Sequence, residues 1–197
     1  MRTEKEKLEQ INKHYLFRDA QNALVGDVLA RVEICRRTGL NNKNLTFSKN
    51  EYGKPILDNQ LQIHYNISHS ANYVACVIDN QPVGIDIEEF KSVNMKVAKR
   101  FFAQDEIDYI YSAKANERFI RLYEIWTIKE SYVKWKGVGF SELLTSFSVF
   151  ITRQSQNVYY HKVYENKNAI VHVCSVKHNT PSIRHLGVSE LINCYAS

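Results

Sequence analysis

The first part of the chain repeats apolar residues at steps of three and four, which is the spacing of one helix face. Leu24, Val28 and Cys35 follow this spacing, and Gly39 comes after the last periodic turn. Glycine at that place is typical of a helix end, because it tolerates the left-handed conformation that closes the last turn. The pattern predicts a helix over residues 4–38.

Between this helix and residue 90 the chain consists of short extended runs separated by turn residues. The stretch NLTFSKNEYGKPIL predicts a short strand and then a turn, with Gly53 and Pro55 as the turn residues. HYNISHS and YVACVID are interpreted as two pieces of one extended segment. VGIDIE is predicted to be the next strand, paired with YVACVID in an antiparallel hairpin around the turn at residues 79–82.

Helical spacing returns after residue 94, in two stretches with few breaking residues. NMKVAKRFFAQDEIDYIYSA predicts one helix, and ANERFIRLYEIWTIKESYVKWKGVGF predicts a second that ends at Gly137 or Gly139. The segments SFSVFIT, VYYHKVYE and AIVHVCSVK then predict three strands. Each half runs from helix to strands, which suggests an α+β fold of two similar lobes, residues 1–92 and 93–197.

The composition is that of a globular protein: 44% of the 197 residues are hydrophobic and 24% are charged, which argues against disorder. The net charge of +5 favours partners that carry phosphate or acidic groups, yet the basic residues form no stripe that would indicate nucleic acid. No apolar run approaches the ~18 residues of a membrane span. Because the four cysteines form no CxxC pair and the polar start is no signal peptide, we expect a reducing cytoplasm.

The strand VGIDIE carries carboxylates between its isoleucines. In an extended chain alternate side chains point to opposite faces, so Ile85 and Ile87 share one face while Asp86 and Glu88 share the other. Glu89 falls on the opposite face from these acids and is left out of the set. Two neighbouring carboxylates on one face indicate either an ordinary sheet facing water or half of a cation site.

The helical segment WTIKESYVK adds a third carboxylate. Trp126, Glu130 and Lys134 are four residues apart and therefore lie on one helix face. Alone, Glu130 and Lys134 could form an exposed ion pair worth only ~0.3–0.5 kcal/mol. Beside Asp86 and Glu88, however, Glu130 would complete an oxygen-rich site of the kind that Mg²⁺ prefers, with a lysine in reach of substrate phosphates.

Three further stretches carry groups suited to charged partners, and each also has an ordinary structural interpretation. NISHS places Ser68 and His69 at a strand end, where His69 either has a backbone partner in the core or donates to a phosphate together with Ser68. YGKP places Lys54 on a turn, from which it could reach the same anion. KRFFAQDE is by default a solvated helix end, although Arg100 and the two phenylalanines could form a docking surface for an acidic partner unless the rings belong to the core.

Taken in order, GKP, NISHS, VGIDIE, RFF and WTIKESYVK resemble the 4′-phosphopantetheinyl transferase family, in particular the larger, monomeric type that activates the surfactin synthetase. The signature of that family is a G-[IV]-D strand followed by a W-x-x-K-E-[SA]-x-x-K helix. Here its two halves are residues 84–86 and 126–134, and the resemblance covers essentially the whole chain. It implies two similar α+β lobes related by a pseudo-twofold axis, with coenzyme A and Mg²⁺ in the cleft.

The resemblance implies an enzyme of the holo-[acyl-carrier-protein] synthase type, which moves the phosphopantetheine arm of coenzyme A onto a carrier-protein serine and releases 3′,5′-ADP. Asp86, Glu88 and Glu130 match the metal-binding acids, and Lys134 matches the lysine beside the diphosphate. Glu130, directly or through a water, would take the serine proton, and Lys134 would steady the leaving group. Asp86, Glu130 and Lys134 are thus the expected catalytic residues, and which carboxylate is the base stays open.

The resemblance also implies contacts with the nucleotide and diphosphate of coenzyme A. The residues expected to make them are Lys7, Lys54, Ser68, His69, Lys129 and Lys134. The family often has a second basic residue near Lys7, and Gln10 stands at that position here. Relatives of this type usually begin with an extra β-strand, whereas this chain starts almost at the first helix, so either that strand is absent or this sequence begins after it.

Other functions stay open from the residues alone. A carrier- or nucleotide-binding relative could keep the fold without activity, although the intact Asp86, Glu130 and Lys134 argue against it. A Mg²⁺-dependent phosphohydrolase could use the same acids and lysine with water as the nucleophile. We expect a monomer that acts on apo acyl carrier or peptidyl carrier proteins, as in antibiotic and nonribosomal peptide synthesis, without nucleic acid or membrane partners.

Overall fold

The computed structural model describes residues 17–58, 62–139 and 143–196 of the chain. The expected coenzyme A contact at Lys7 and residues 4–16 of the predicted first helix lie outside these ranges. No helix within the described ranges is both long enough and apolar enough to cross a membrane.

The described helices stand at the beginning of the chain and after residue 95. They are α1 (Phe17–Thr38), α2 (Lys96–Phe101), α3 (Gln104–Tyr111), α4 (Arg118–Lys136), α5 (Val149–Ser155) and α6 (Val188–Ala196), with 3₁₀ turns at Asn42–Asn44 and Leu144–Ser146. Gly39 follows α1 with a φ of 72°, and Gly137 follows α4 with a φ of 77°. Both glycines therefore end their helices in the left-handed conformation, as predicted.

The described strands form three antiparallel sheets. They are β1 (Phe47–Lys49), β2 (Pro55–Leu57), β3 (His64–Ser70), β4 (Tyr73–Asp79), β5 (Val83–Glu89), β6 (Tyr159–Glu165) and β7 (Ala169–Ser175). β1 pairs with β2, β3 pairs with β4, and β7 lies between β5 and β6. The predicted α+β class is confirmed. The third sheet contains β5 from the expected first lobe and β6 and β7 from the expected second lobe, and the division into two lobes at residue 92 stays a prediction.

Three local predictions are wrong. YVACVID neither continues HYNISHS in one extended segment nor pairs with VGIDIE: β4 forms a hairpin with β3 instead, because Ala71 turns the chain with a φ of 49°. SFSVFIT contains the short helix α5 rather than a strand, since the Ser148 side chain caps the helix N-terminus. The single helix predicted after residue 94 is divided into α2 and α3, because the Glu106 carboxylate accepts the backbone N–H of Ala103 and starts α3 anew.

Helix α4 lies directly on β5, and the contact is closest at Gly84. A Cβ atom built on Gly84 would stand 2.1 Å from the Ser131 carbonyl oxygen and 2.3 Å from the Trp135 backbone nitrogen. Both atoms belong to the helix backbone, so only glycine permits this approach. The opposite face of β5 packs Ile85 and Ile87 against valines of β4 and β7. β5 is thereby fixed between α4 and the core.

β3 and β5 lie side by side, yet among the described strands no backbone ladder joins them. The buried side chains of Asn66, Ser68 and Ser70, at alternate positions of β3, accept hydrogen bonds from backbone N–H groups of β5 instead. The donors, with their distances to the accepting oxygens, are Ile85 (2.9 Å), Ile87 (3.3 Å) and Glu89 (3.1 Å). We call this row of three side-chain contacts the seam, and it connects two of the sheets.

Candidate active site

The buried carboxylate of Asp86 lies where β5, the seam and α4 meet. Its Oδ1 accepts hydrogen bonds from Ser68 Oγ at 2.9 Å and from Lys134 Nζ at 2.6 Å, and Lys134 Nζ also donates to Ser68 Oγ at 2.9 Å. Its Oδ2 is buried and has no hydrogen-bond partner among the described residues. A buried carboxylate oxygen without a partner is unfavourable, so this atom is suited to bind a cation.

Glu88 and Glu130 complete a group of three interacting carboxylates. Glu88 Oε2 accepts a hydrogen bond from Ser70 Oγ at 2.7 Å. Burial raises the pKa of Asp86, Glu88 and Glu130 above their ordinary values. The negative charge of Asp86 raises the pKa of both glutamates further, and that of Glu88 also raises the pKa of Glu130, so the charges of these acids oppose each other. A bound cation would relieve this repulsion.

The donor atoms of this group fit a hard divalent cation, since carboxylate oxygens are the ligands that Mg²⁺ prefers in proteins. Within the described ranges, no three His, Cys, Asp or Glu side chains are already gathered in an arrangement that could hold a metal ion. Lys134 forms an ion pair with Asp86 Oδ1 and neutralises that carboxylate. Two features nevertheless suit these acids to Mg²⁺. Their donor atoms are all oxygens, and Asp86 Oδ2 has no hydrogen-bond partner among the described residues.

The close approach at Gly84 explains why Lys134 reaches Asp86. Because Gly84 has no side chain, the helix backbone touches β5 two residues before Asp86. Helix side chains tilt towards the helix N-terminus, so the Lys134 side chain extends back along α4 to the carboxylate. Glu130 lies one turn earlier on the same helix face. The contact between α4 and β5 thus brings groups far apart in sequence to one place.

Two polar groups that the sequence did not single out support α4 beside the acids. His172 of β7 is the register partner of Asp86, and its Nδ1 lies 2.7 Å from Thr127 Oγ1 of α4. Burial lowers the pKa of His172 to about 3, so the imidazole is neutral. The signal in the sequence is one histidine inside an apolar strand, which does not reveal its partner. The contact fixes α4 against the sheet next to Asp86.

Lys129 lies in the core rather than at the acids. Its side chain is fully buried, and Nζ donates at 2.7 Å to both carboxylate oxygens of Glu106 and to the Phe147 carbonyl oxygen. An ammonium group has three hydrogens, and these three bonds use all of them. The structure thus gives Lys129 a structural role, since the side chain ties α4 to α3 and to the segment before α5. Its expected contact with coenzyme A stays a prediction.

The ammonium group of Lys54 donates hydrogen bonds to backbone carbonyl oxygens at and beside the C-terminal end of α4. Its Nζ lies 2.5 Å from the Lys134 carbonyl oxygen, 3.2 Å from that of Val83 and 3.5 Å from that of Trp135. Carbonyl groups in the last turn of a helix lack partners within the helix, so this ammonium satisfies them. Burial lowers the pKa of Lys54 to about 8. The structure therefore gives Lys54 a capping role, and its expected contact with an anion of coenzyme A stays a prediction.

Ser68 and His69 differ in exposure although they are neighbours. Ser68 is buried in the seam and contacts Asp86 and Lys134 through its hydroxyl. His69 is exposed, and as the next residue of the strand it points to the opposite face. Of these two, only His69 presents its side chain to a ligand in solvent, so its expected contact with coenzyme A stays a prediction.

The RFF segment also divides between surface and core. Phe102 is 3% exposed, and its ring centroid lies 6.1 Å from that of Trp126. Arg100 is exposed and places its guanidinium 5.3 Å from the Phe101 ring centroid. The ring of Phe102 therefore belongs to the core, whereas the Arg100 side chain lies at the surface, where a partner could contact it.

Two family models match the chain in succession. The one described as 4′-phosphopantetheinyl transferase superfamily matches residues 82–186, which include all three acids and Lys134. The one described as 4′-phosphopantetheinyl transferase, N-terminal, matches residues 2–81. Together they extend over most of the sequence.

Similar proteins occur in bacteria and yeast. The chain is 40% identical over 151 residues to the 4′-phosphopantetheinyl transferase Sfp of Bacillus subtilis strain 168, a match that covers 77% of this chain and 67% of that protein. It is 36% identical over 194 residues to the 4′-phosphopantetheinyl transferase gsp of Aneurinibacillus migulanus, covering 95% and 81%. It is 28% identical to the L-aminoadipate-semialdehyde dehydrogenase-phosphopantetheinyl transferase of Saccharomyces cerevisiae, covering 91% and 76%.

Proposed function

Because the chain belongs to the 4′-phosphopantetheinyl transferase superfamily, we propose that it transfers the phosphopantetheine arm of coenzyme A to a carrier protein. The acceptor is a serine of an apo acyl carrier protein or peptidyl carrier protein domain, and the second product is 3′,5′-ADP. One observation carries the proposal beyond family membership: Asp86 Oδ2 is buried and unpartnered among the described residues, beside Lys134 and the charges of two glutamates.

The proposed cation is Mg²⁺, and Asp86, Glu88 and Glu130 would hold it. When bound, Mg²⁺ neutralises the charge of diphosphate oxygens. The oxygen-only donor set and the mutual repulsion of the three acids support this choice.

In the proposed reaction, the serine oxygen of the carrier protein forms a bond to the β-phosphorus of coenzyme A. The bond from that phosphorus to the oxygen bridging the two phosphates breaks, and its electron pair leaves with 3′,5′-ADP. Glu130 takes the serine proton, and its raised pKa makes it a stronger base than an ordinary glutamate. Lys134 places its positive charge beside the leaving oxygen, since its side chain is 27% exposed and already reaches the centre of the site.

We further propose that the protein acts as a monomer in the cytoplasm. The strand with Asp86 and Glu88 and the helix with Glu130 come from one chain, so the site requires no residue from a second copy. No disulfide joins the cysteines within the described residues, which supports a reducing compartment. Exposed His69 is the proposed contact for the nucleotide end of coenzyme A.

Incubation of the protein with apo carrier protein, coenzyme A and Mg²⁺, followed by mass spectrometry of the carrier, tests the function. We expect the carrier to gain the mass of phosphopantetheine. Asp86→Asn should slow this gain by at least about 100-fold, because it removes a carboxylate at the centre of the site. Glu165→Gln, which changes an exposed carboxylate outside the site, is the matched control and should leave the rate unchanged.

Each other outcome identifies a different function. Release of free phosphate without a mass gain would indicate a phosphohydrolase, and neither product would indicate a binding protein. An Asp86→Asn variant with the rate of the unaltered enzyme would overturn the assignment of the site, even if transfer itself occurs.

A further inference from the structure

The serine hydroxyls of the seam connect the backbone of β5 to the acids on the same strand. Ser70 Oγ accepts from the Glu89 N–H at 3.1 Å and contacts Glu88 Oε2 at 2.7 Å. Ser68 Oγ makes the equivalent pair of contacts, with the Ile87 N–H at 3.3 Å and Asp86 Oδ1 at 2.9 Å. The repetition two residues apart indicates one arrangement used twice, with each hydroxyl between a backbone amide and a carboxylate.

The direction of the hydrogen bonds at Ser70 follows from the available hydrogens. A serine hydroxyl has one hydrogen and two acceptor lone pairs. The Glu89 N–H can only donate, so it uses a lone pair of Ser70 Oγ. The single hydroxyl hydrogen is then left to point at Glu88, whose Oε2 accepts it at 2.7 Å. The backbone of β5 thereby fixes the hydroxyl as a donor to that carboxylate.

A donor held in this way restricts the rotation of the acid. Glu88 is a longer side chain than Asp86 and is only half-buried, so without a partner it would populate several rotamers. The bond to Ser70 ties one of its oxygens to a side chain that is 9% exposed and itself anchored to the strand. Hydrogen bonds to the carboxylates that bind metals commonly set their orientation and affinity.

We propose that Ser70 is a positioning residue that orients Glu88 towards the divalent cation. The inference rests on the proposed function, in which Glu88 is one of the three acids that hold Mg²⁺. Ser70 allows a cleaner test of this role than Ser68, because the Ser68 hydroxyl also contacts Lys134. In this proposal Ser70 acts only through Glu88.

Asn66 offers a matched control within the seam. Its Oδ1 accepts from the Ile85 N–H at 2.9 Å, as the serines accept from their amides. Asn66 donates to no acid of the site in the described structure, so Asn66→Ala weakens the seam without touching a carboxylate. Ser70→Ala weakens the seam and also releases Glu88. The difference between the two variants therefore isolates the effect on the carboxylate.

The experiment measures Mn²⁺ binding to the full chain in the presence of coenzyme A, by the electron paramagnetic resonance signal of free Mn²⁺. Ser70→Ala should weaken binding by about tenfold, the lower end of what loss of such a supporting hydrogen bond causes. Ser70→Thr keeps the hydroxyl and should stay within about threefold of the unaltered protein, whereas Asn66→Ala should stay within about twofold. Melting temperatures of the same samples report the loss of seam contacts separately.

Unchanged Mn²⁺ affinity in Ser70→Ala would overturn the inference and leave the proposed function standing. Equal weakening in Ser70→Ala and Asn66→Ala would also overturn it, because Ser70 would then act through the seam alone. If Ser70→Ala does not fold, Ser70→Cys replaces it, since the thiol is a weak donor, and affinity equal to that of the unaltered protein would count against the inference. Absence of Mn²⁺ binding by the unaltered protein would overturn both this inference and the proposed cation.

Discussion

Replacement of Lys129 by methionine is expected to lower the free energy of unfolding by about 3–5 kcal/mol. Methionine fills a similar volume but leaves Glu106, which is as fully buried as Lys129, without its charge partner. The backbone N–H groups of Ala103 and Val149 still donate to Glu106, each at 2.8 Å. These two bonds keep the loss below that of an isolated buried charge, yet it remains larger than the effect of most single substitutions.

A second substitution separates the effect of the unpaired Glu106 charge on stability from the effect of the packing that Lys129→Met removes. Glu106→Gln removes the charge and keeps one side-chain oxygen as an acceptor for a backbone N–H. We therefore expect the Lys129→Met, Glu106→Gln double variant to be more stable than the sum of the two single losses predicts, by about 2 kcal/mol. A coupling near zero would show that Lys129 and Glu106 do not depend on each other.

Urea unfolding measures these free energies through the fluorescence of Trp126 and Trp135, both in α4. Lys162→Met is the control, since Lys162 is exposed and pairs with Glu165 at 2.8 Å, and we expect a loss under about 1 kcal/mol. A Lys129→Met loss as small as that of the control would refute the core role. An increased KM for coenzyme A without lost stability would favour the contact that the family resemblance implies.

Three further substitutions test the packing around α4. Gly84→Ala should cost at least about 4 kcal/mol or prevent folding, because its Cβ would overlap the helix backbone, and an unchanged melting temperature would contradict the contact with Ser131. Gly137→Ala should cost about 1 kcal/mol in urea unfolding, since φ there is 77°, and no loss would argue against the left-handed end. Folding lowers the pKa of Lys54 from 10.5 to about 8. Between pH 8 and 10.5, Lys54 is therefore protonated in the unfolded chain and neutral in the folded chain. Stability should therefore rise by about 2–3 kcal/mol from pH 8 to 10.5 relative to Lys54→Met, and a constant difference across this window would refute the shift.

The helices were predictable where their periodicity is long, whereas strand pairing was not. The segment of α4 repeats its apolar residues through Lys136, and Gly137 marks its end, so local signals are sufficient there. The pattern of VGIDIE shows which residues share a face but contains nothing about the neighbouring strand. Its partner β7 begins at Ala169, eighty residues after Glu89, and only the assembled core selects that pairing.

The site was predictable to the extent that motif spacing determines it. The strand and helix motifs assigned Asp86 and Lys134 to one expected site, and the structure joins them in an ion pair that the motifs did not specify. The same motifs did not distinguish the lysines, because an ammonium group fits a phosphate, a carboxylate or backbone carbonyls equally well. Lys129 is bound to Glu106 and Lys54 to the end of α4, and both partners are distant in sequence. Their roles therefore required the folded structure.

The seam changes how the two sheets that it joins can separate. Within each sheet the backbone ladders are complete without the seam, so β3 and β5 can part while every ladder bond on either side stays intact. The amide hydrogens of Ile85, Ile87 and Glu89 depend on side-chain acceptors and should exchange with solvent whenever the seam opens. Those of β7, bonded to strands on both sides, should exchange only on wider unfolding. We therefore expect the seam to be a line of low local stability, and it passes directly beside the acids of the site.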